Sequence, residues 1–238
     1  MTRRTDRSDA HVAAIVQARM SSSRLPGKVL EDLGGQPALV RVLDRLGKAH
    51  ELDEVVVATS VDPSDDPIVE LVASRGIAVE RGSLADVLER YRSAAVAHPS
   101  AAVARITADC PLIDPEIVDA VVARWREGAA DYVSNTLEPR TFPKGLDVEV
   151  MTTAVLMTAA QEATDPYDRE HVTPFIRSRP ERFAQDAVYH DPPYGDVRVT
   201  LDTPDDLVIL RGVYESVGPA PSLPELLAAL DAQPDEAR

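Results

Sequence analysis

Residues 18–28 read ARMSSSRLPGK and place Arg19, Arg24 and Lys28, the hydroxyls of Ser21, Ser22 and Ser23, and a Pro26-Gly27 turn in one short loop. Backbone N–H groups of such a loop can form an anion nest. The hydroxyls add donors, and the cations supply the charge that a triphosphate requires. The bland alternative is a solvated basic loop. A second segment, Arg105-Ile106-Thr107-Ala108-Asp109-Cys110-Pro111, and a third, Leu201-Asp202-Thr203-Pro204, each place an aspartate just past a β-branched run. Alone, Asp109 is a turn residue as readily as a ligand, and Asp202 a cap-region residue. Two such aspartates opposite a cationic loop are more specific. Mg²⁺ typically takes one or two carboxylates and keeps several waters, so the set points to a metal-assisted nucleotidyl site.

Two familiar phosphate motifs are absent. A Walker loop needs glycine where Ser22 stands and Ser or Thr where Val29 stands, and Gly34-Gly35 does not complete G-x-G-x-x-G. A P-loop ATPase or a dinucleotide dehydrogenase is therefore disfavoured.

The elements that must position these residues alternate. Val12–Val16, Glu54–Thr59, Ile77–Glu80 and Ala101–Thr107 read as strands. Between and after them, Ala38–Lys48, Pro67–Ser74, Ser83–Ala97 and Pro115–Glu127 read as helices, with Ser83 and Asp114 as caps. This alternation implies a parallel sheet with helices on both faces, whose ligands bind beyond the carboxyl ends of the strands. There the cationic loop follows strand one, and local positive charge at that place favours the phosphate reading. Past residue 130 the rhythm breaks. Asp131–Ser134 and Leu146–Met151 are strand-like around a proline-rich excursion at 136–145. Helices at Thr152–Ala163 and Arg169–Ser178, strands at Arg182–Tyr189 and Val197–Thr200, and a helix from Thr203-Pro204 follow. Trp125 falls on a packing face. Residues 1–10 read as a frayed tail, 11–217 as the functional domain, and 218–238 as an acidic terminal helix with a disordered end.

Composition narrows the classes. The chain has 238 residues, 44% hydrophobic, with 40 acidic against 25 basic residues and a net charge of -15. Such a surface repels polyanions, which argues against a dedicated nucleic-acid binder. No run approaches the roughly 20 apolar residues that a membrane-spanning helix needs. One cysteine, Cys110, permits no internal disulfide or multi-cysteine zinc site, which fits a reducing, cytoplasmic setting. The N-terminal segment carries Arg3-Arg4 without the apolar run of a secretory signal.

Arg19 to Lys28 resembles the nucleotide-binding signature of CMP-Kdo synthetases and acylneuraminate cytidylyltransferases, A-R-x-x-S-[TK]-x-L-P-x-K, and LDTPDDL is similar to the V-D-T-P-E-D-L of the Kdo enzymes. QARMSSSRLPGKVL, EVVVATS, DDPIVEL, RGSLADVLERY, RITADCPLIDPEI, DYVSNTL, FPKGLDVEV and REHVTPFI, in that order, look like the spore coat polysaccharide biosynthesis protein F branch of the same family. The resemblance covers about residues 11–217. It implies a Rossmann-like three-layer α/β/α sandwich of the nucleotide-diphospho-sugar transferase type, with a mixed, mostly parallel sheet and a projecting β-hairpin at 131–151 used to dimerise. It also implies transfer of CMP from CTP to a sugar or sugar acid, with Mg²⁺ as cofactor. By position, Arg19, Ser22, Arg24 and Lys28 would hold the triphosphate; Ala18, Ser23, Thr107 and Ala108 belong to the same nucleotide loops. Gly82 and Ser83 would lie near the base or ribose, and Asp109 and Asp202 would ligate the metal. Arg24, Lys28, Asp109 and Asp202 form the implied catalytic set. Gln17 replaces the usual proline, Ala108 the usual glycine, and Cys110 the glutamate of the Kdo enzymes, so the acceptor stays open.

On the acceptor side the sequence offers Lys144, Asp147, Glu149 and His171. Asp147 and Glu149 are two apart, on one face of a strand. They read equally as a receptor for sugar hydroxyls and as a solvated face. His171 reads as an acceptor contact or as a structural histidine, and Cys110 as a packed thiol. Two competing functions are a glycosyltransferase and a non-catalytic nucleotide-binding protein. Neither Asp131-Tyr132-Val133 nor Asp109-Cys110-Pro111 makes the D-x-D metal motif of the former. Retention of Arg24, Lys28, Asp109 and Asp202 together argues against the latter.

Overall fold

The structure, a computed structural model, describes residues 6–232. Seven strands form one sheet: β1 Val12–Gln17, β2 Glu54–Ser60, β3 Ala78–Gly82, β4 Ala102–Thr107, β5 Tyr132–Ser134, β6 Glu149–Thr152 and β7 Gln185–Ala187. Their order is β3-β2-β1-β4-β6-β5-β7, and only β6 runs against its neighbours. The sheet is thus mixed and mostly parallel.

Strand periodicity divides the core in two. Val12, Ala14 and Val16 of β1 and Ala104 and Ile106 of β4 face one layer; Ile15 and Val103 face the other. The first layer holds α1 Ala38–Leu46, α2 Asp66–Ser74, α4 Pro115–Arg126, α8 Pro204–Val217 and α9 Leu223–Asp231. The second holds α3 Val87–Ala97, α5 Thr153–Glu162 and α7 Pro174–Arg177, with α6 Pro166–His171 packed beside α3. The result is a three-layer α/β/α sandwich.

Several boundaries depart from the sequence reading for local reasons. The cap of α3 is Asp86, whose carboxylate accepts from Glu89 N at 2.9 Å. Ser83 instead closes the turn before it, accepting from Asp86 N. The helix expected over 169–178 is two short helices, because Val172 has φ 72° and Pro174 begins a new turn. The strand expected over 182–189 shrinks to Gln185–Ala187, and 197–200 contributes one bridge, Lys144 to Arg198.

Residues 131–151 differ most. The two strands expected to project lie inside the sheet, and β6 is inserted between β4 and β5. Only 135–148 leaves it, and this loop folds back: Lys144 N donates to Val197 O at 2.8 Å and Val199 N to Lys144 O at 2.7 Å. Gly145, at φ 106°, lies so close to Val199 that a Cβ there would sit 2.7 Å from its carbonyl carbon. The described part of the N-terminal tail is docked. Arg7 lies 4.5 Å over the Trp125 ring and donates to Ala130 O at 2.7 Å. At the other end Leu223, Leu226 and Ala229 of α9 are buried in the first layer. The end expected to be disordered, 233–238, lies outside the described residues, as do residues 1–5.

Candidate active site

The strand sequence runs outward in one direction through β1, β2 and β3 and resumes on the other side of β1 with β4. Loops leaving the carboxyl ends of β1 and β4 therefore diverge and open a crevice between them. The ends are level: Gln17 pairs with Thr107, and Ala108 N donates to Gln17 O at 3.0 Å. The cationic loop and the Asp109 segment thus face one another across a cavity of about 450 Å³.

The loop is held from below. Gly27, left-handed at φ 75°, lets its N–H return to Met20 O at 2.9 Å and starts the single 3₁₀ turn that carries Lys28. Met20 N donates in turn to Asp65 Oδ1 at 2.7 Å. Asp65 is fully buried and its other oxygen accepts from Thr59 Oγ1, Ser60 N and Ser60 Oγ at the end of β2. Asp65 stands at the start of α2. Its side chain makes no cap bond there and instead fixes the loop to a neighbouring strand.

At the centre, Lys28 Nζ lies 2.8 Å from Asp109 Oδ2 and 2.8 Å from Asp202 Oδ1. Arg24 approaches Asp202 Oδ1 at 3.2 Å, and Arg198 holds Asp202 Oδ2 at 2.9 Å. Asp202 is fixed because Asp206, the capping-box residue of α8, accepts from both Asp202 N and Thr203 N at 2.8 Å. Burial alone would raise the Asp202 pKa, but the hydrogen bond and charge of Lys28, with Arg24 and Arg198, hold it below the usual carboxylate range. Burial likewise opposes the charge on Lys28, and Asp109 and Asp202 outweigh it and raise the Lys28 pKa.

Ala18, Arg19, Ser22, Ser23, Arg24, Lys28, Thr107, Ala108, Asp109, Asp147, His171 and Asp202 all line the cavity. Four expected residues do not. Lys144 is exposed and engaged through its backbone. Gly82 and Ser83 stand behind Arg90, whose Nη1 donates to Ser83 O at 3.1 Å. Glu149 is buried at 4% exposure beside Arg105, and accepts from Tyr132 OH at 2.5 Å and Thr173 Oγ1 at 2.8 Å. Burial would raise its pKa; Arg105 and these two hydroxyls bring it below the ordinary value. Asp147 and Glu149 do not share one strand face, because β6 begins only at Glu149 and each carboxylate has its own cation. For Asp147 that cation is Arg140, bidentate at 2.7 and 3.0 Å.

Sequence reasoning missed Arg90 and Arg105, which line the cavity from α3 and β4. Arg105 sits in a strand whose alternation it does not disturb. Arg90 is read most simply as an exposed helix residue. Position His171 depends on α6, and α6 is pinned by Arg169, whose Nε and Nη2 donate to Asp86 Oδ2 at 2.9 and 2.6 Å. Tyr167 packs against the His171 ring at 4.4 Å. Cys110 is buried, and burial with the adjacent Asp109 pushes its thiol pKa well up, as suits a packed rather than reactive group.

Comparison with known proteins places this arrangement. A family model described as cytidylyltransferase matches residues 13–211. The spore coat polysaccharide biosynthesis protein SpsF of Bacillus subtilis is 31% identical, over 94% of this chain and 95% of its own. An uncharacterised protein of Methanocaldococcus jannaschii is 39% identical, over 82% of this chain and 79% of its own. A solved cytidylyltransferase from Leptospira borgpetersenii superposes with a TM-score of 0.87 at 30% identity, covering 94% of this chain and 98% of that one. With the cationic loop, the two strand-end aspartates and the sandwich in place, the chain belongs to the cytidylyltransferase family and is a nucleotidyltransferase.

Proposed function

We propose that the protein transfers CMP from CTP to a hydroxyl of a sugar or sugar acid, releasing pyrophosphate, in the synthesis of a polysaccharide or glycoconjugate. The observation that carries this reading is Lys28 Nζ shared at 2.8 Å between Asp109 and Asp202 beneath the cationic loop. Two carboxylates converging on one small cation are a hard-oxygen donor pair, and Mg²⁺ accepts such a pair with water completing its shell. The donor set therefore fits Mg²⁺, which Asp109 and Asp202 would hold and which would neutralise charge on the phosphates.

The chain's own residues supply position and charge. The acceptor oxygen attacks the α-phosphorus, forming one P–O bond as the bond to the β-phosphate oxygen breaks. Its proton passes to solvent water, and pyrophosphate leaves with the bonding pair. Arg19, Ser22, Ser23, Arg24 and Lys28 hold the phosphates in line, with Arg24 and Lys28 beside the leaving group. On the opposite wall Asp147, fixed by Arg140, and His171, fixed through α6, face the acceptor.

The test is pyrophosphate release from CTP, UTP, ATP and GTP with Mg²⁺, against a panel of sugars, sugar acids and sugar phosphates. Turnover is expected with CTP and one acceptor class. Tight CTP binding without turnover for any acceptor would reject the transferase reading. Asp109→Asn and Asp202→Asn are each expected to abolish turnover with circular dichroism unchanged; near-normal activity in either would sink the metal assignment.

A further inference from the structure

The cations around the cavity divide by what neutralises them. On the α8 side Lys28, Arg24 and Arg198 are each held by Asp109, Asp202 or Asp206. On the α3 side Arg19 has Glu170 at 3.8 Å, with both side chains about half exposed. Arg90 has less still. It is 2% exposed, lines the cavity, and its guanidinium makes one hydrogen bond among the described residues, from Nη1 to the neutral carbonyl of Ser83. Its Nε is buried without a partner among the described residues. The nearest acidic groups are committed elsewhere, Asp65 to the Met20, Thr59 and Ser60 donors and Asp86 to Arg169 and the α3 cap. Burial, with the nearby charge of Arg19 adding to it, pulls the Arg90 pKa below the usual guanidinium value.

A buried guanidinium without a counter-ion is costly in a folded protein. The fold nevertheless makes room for it: a Cβ at position 82 would lie 2.8 Å from Arg90 Cγ, so the glycine ending β3 leaves the space that the arginine stem fills. We propose that Arg90 is a phosphate-binding residue whose counter-ion is the polyphosphate chain of the nucleotide. Gly82 then acts on the nucleotide through Arg90. This rests on the reading of the cavity as a nucleotide site, and it adds a cation on the α3 side to those of the first loop. It also assigns the cavity's unbalanced positive charge to the α3 wall.

The experiment is calorimetric titration of the wild type, Arg90→Met, Arg90→Lys and Gly82→Ala with tripolyphosphate, CTP and cytidine, with thermal unfolding of each in parallel. Arg90→Met is expected to weaken tripolyphosphate and CTP about tenfold or more, the size of a charged hydrogen bond, and to leave cytidine unchanged. Arg90→Lys should retain part of the affinity, and Gly82→Ala, which keeps the charge but shifts it, should lose part. Tripolyphosphate should raise the unfolding temperature of the wild type more than that of Arg90→Met. Unchanged tripolyphosphate affinity in folded Arg90→Met and Arg90→Lys overturns the assignment, as does a loss confined to cytidine and CTP, which would make Arg90 a reader of the base. If the wild type binds tripolyphosphate through Arg90 but prefers another nucleotide, the CTP reading fails and the Arg90 assignment stands.

Discussion

At the residue scale, Lys28 stands where a cation between Asp109 and Asp202 would stand. On the proposed function, a divalent ion would compete with this ammonium for the same two carboxylates until a phosphate offered Lys28 another partner. Lys28→Met is expected to bind Mn²⁺ more tightly than the wild type without nucleotide, and CTP more weakly. Calorimetry with MnCl₂ alone checks the first half; a fall in Mn²⁺ affinity would contradict it. Glu149 makes a second residue-scale prediction. Its folded pKa lies below its unfolded value, so the stability it contributes is present above the unfolded value, about 4.3, and is lost as pH falls through the folded one. Urea unfolding between about pH 2 and 5 should show a shallower acid loss in Glu149→Gln than in the wild type. At pH 7 Glu149→Ala should cost about 3–5 kcal/mol, because it leaves the partly buried Arg105 without its carboxylate.

At the element scale, α6 is tied through Arg169 to Asp86 at the start of α3 and to the carbonyls of Ala160 and Ala163 at the end of α5. Asp86 caps α3 and also holds Arg169. Asp86→Ala is expected to remove about 1 kcal/mol of capping and to raise amide exchange in 166–171 above that in the rest of α3 and α5. Equal exchange across these helices would mean that Arg169 does not depend on Asp86. The same element shows where sequence reading stops. Strands β1, β2 and β4 and the capped starts of α4 and α8 are legible because their signals are local: β-branched runs, Asp114 before Pro115, Thr203 before Pro204. The insertion of β6 between β4 and β5 is not, since a four-residue strand carries no record of its partner. Within the site, the Arg19–Lys28 loop, Asp109 and Asp202 are legible by type and by their place after strands. Asp65 and Arg105 are not, because they act through contacts with distant segments, Met20 and Glu149; nor is Arg90, because nothing local marks a helical arginine as buried.

At the scale of the whole molecule, the terminal helix belongs to the core. Arg45 is buried and donates through Nε to Ile113 O and through Nη2 to Pro221 O at 2.9 Å. Burial lowers its pKa, with Asp114 opposing the fall. Removing residues 219–238 would take away the Pro221 acceptor and the buried Leu223 and Leu226 of α9 from the first core layer. Truncation should lower the unfolding temperature by several degrees and increase binding of a hydrophobic dye; an unchanged melting curve would show α9 to be dispensable.

The segment 135–148 leaves and re-enters the sheet through β5 and β6, which are hydrogen-bonded to each other. Its two ends are therefore fixed close together whatever lies between them. Lengthening a loop closed in this way costs only about 0.6 kcal/mol for each doubling. It reaches the cavity through Asp147 and is tied down at Gly145, while the cationic loop and both strand-end aspartates are built from other parts of the chain. Exchange of this segment between relatives is thus the change by which one scaffold could take up a new acceptor while its nucleotide chemistry stays untouched.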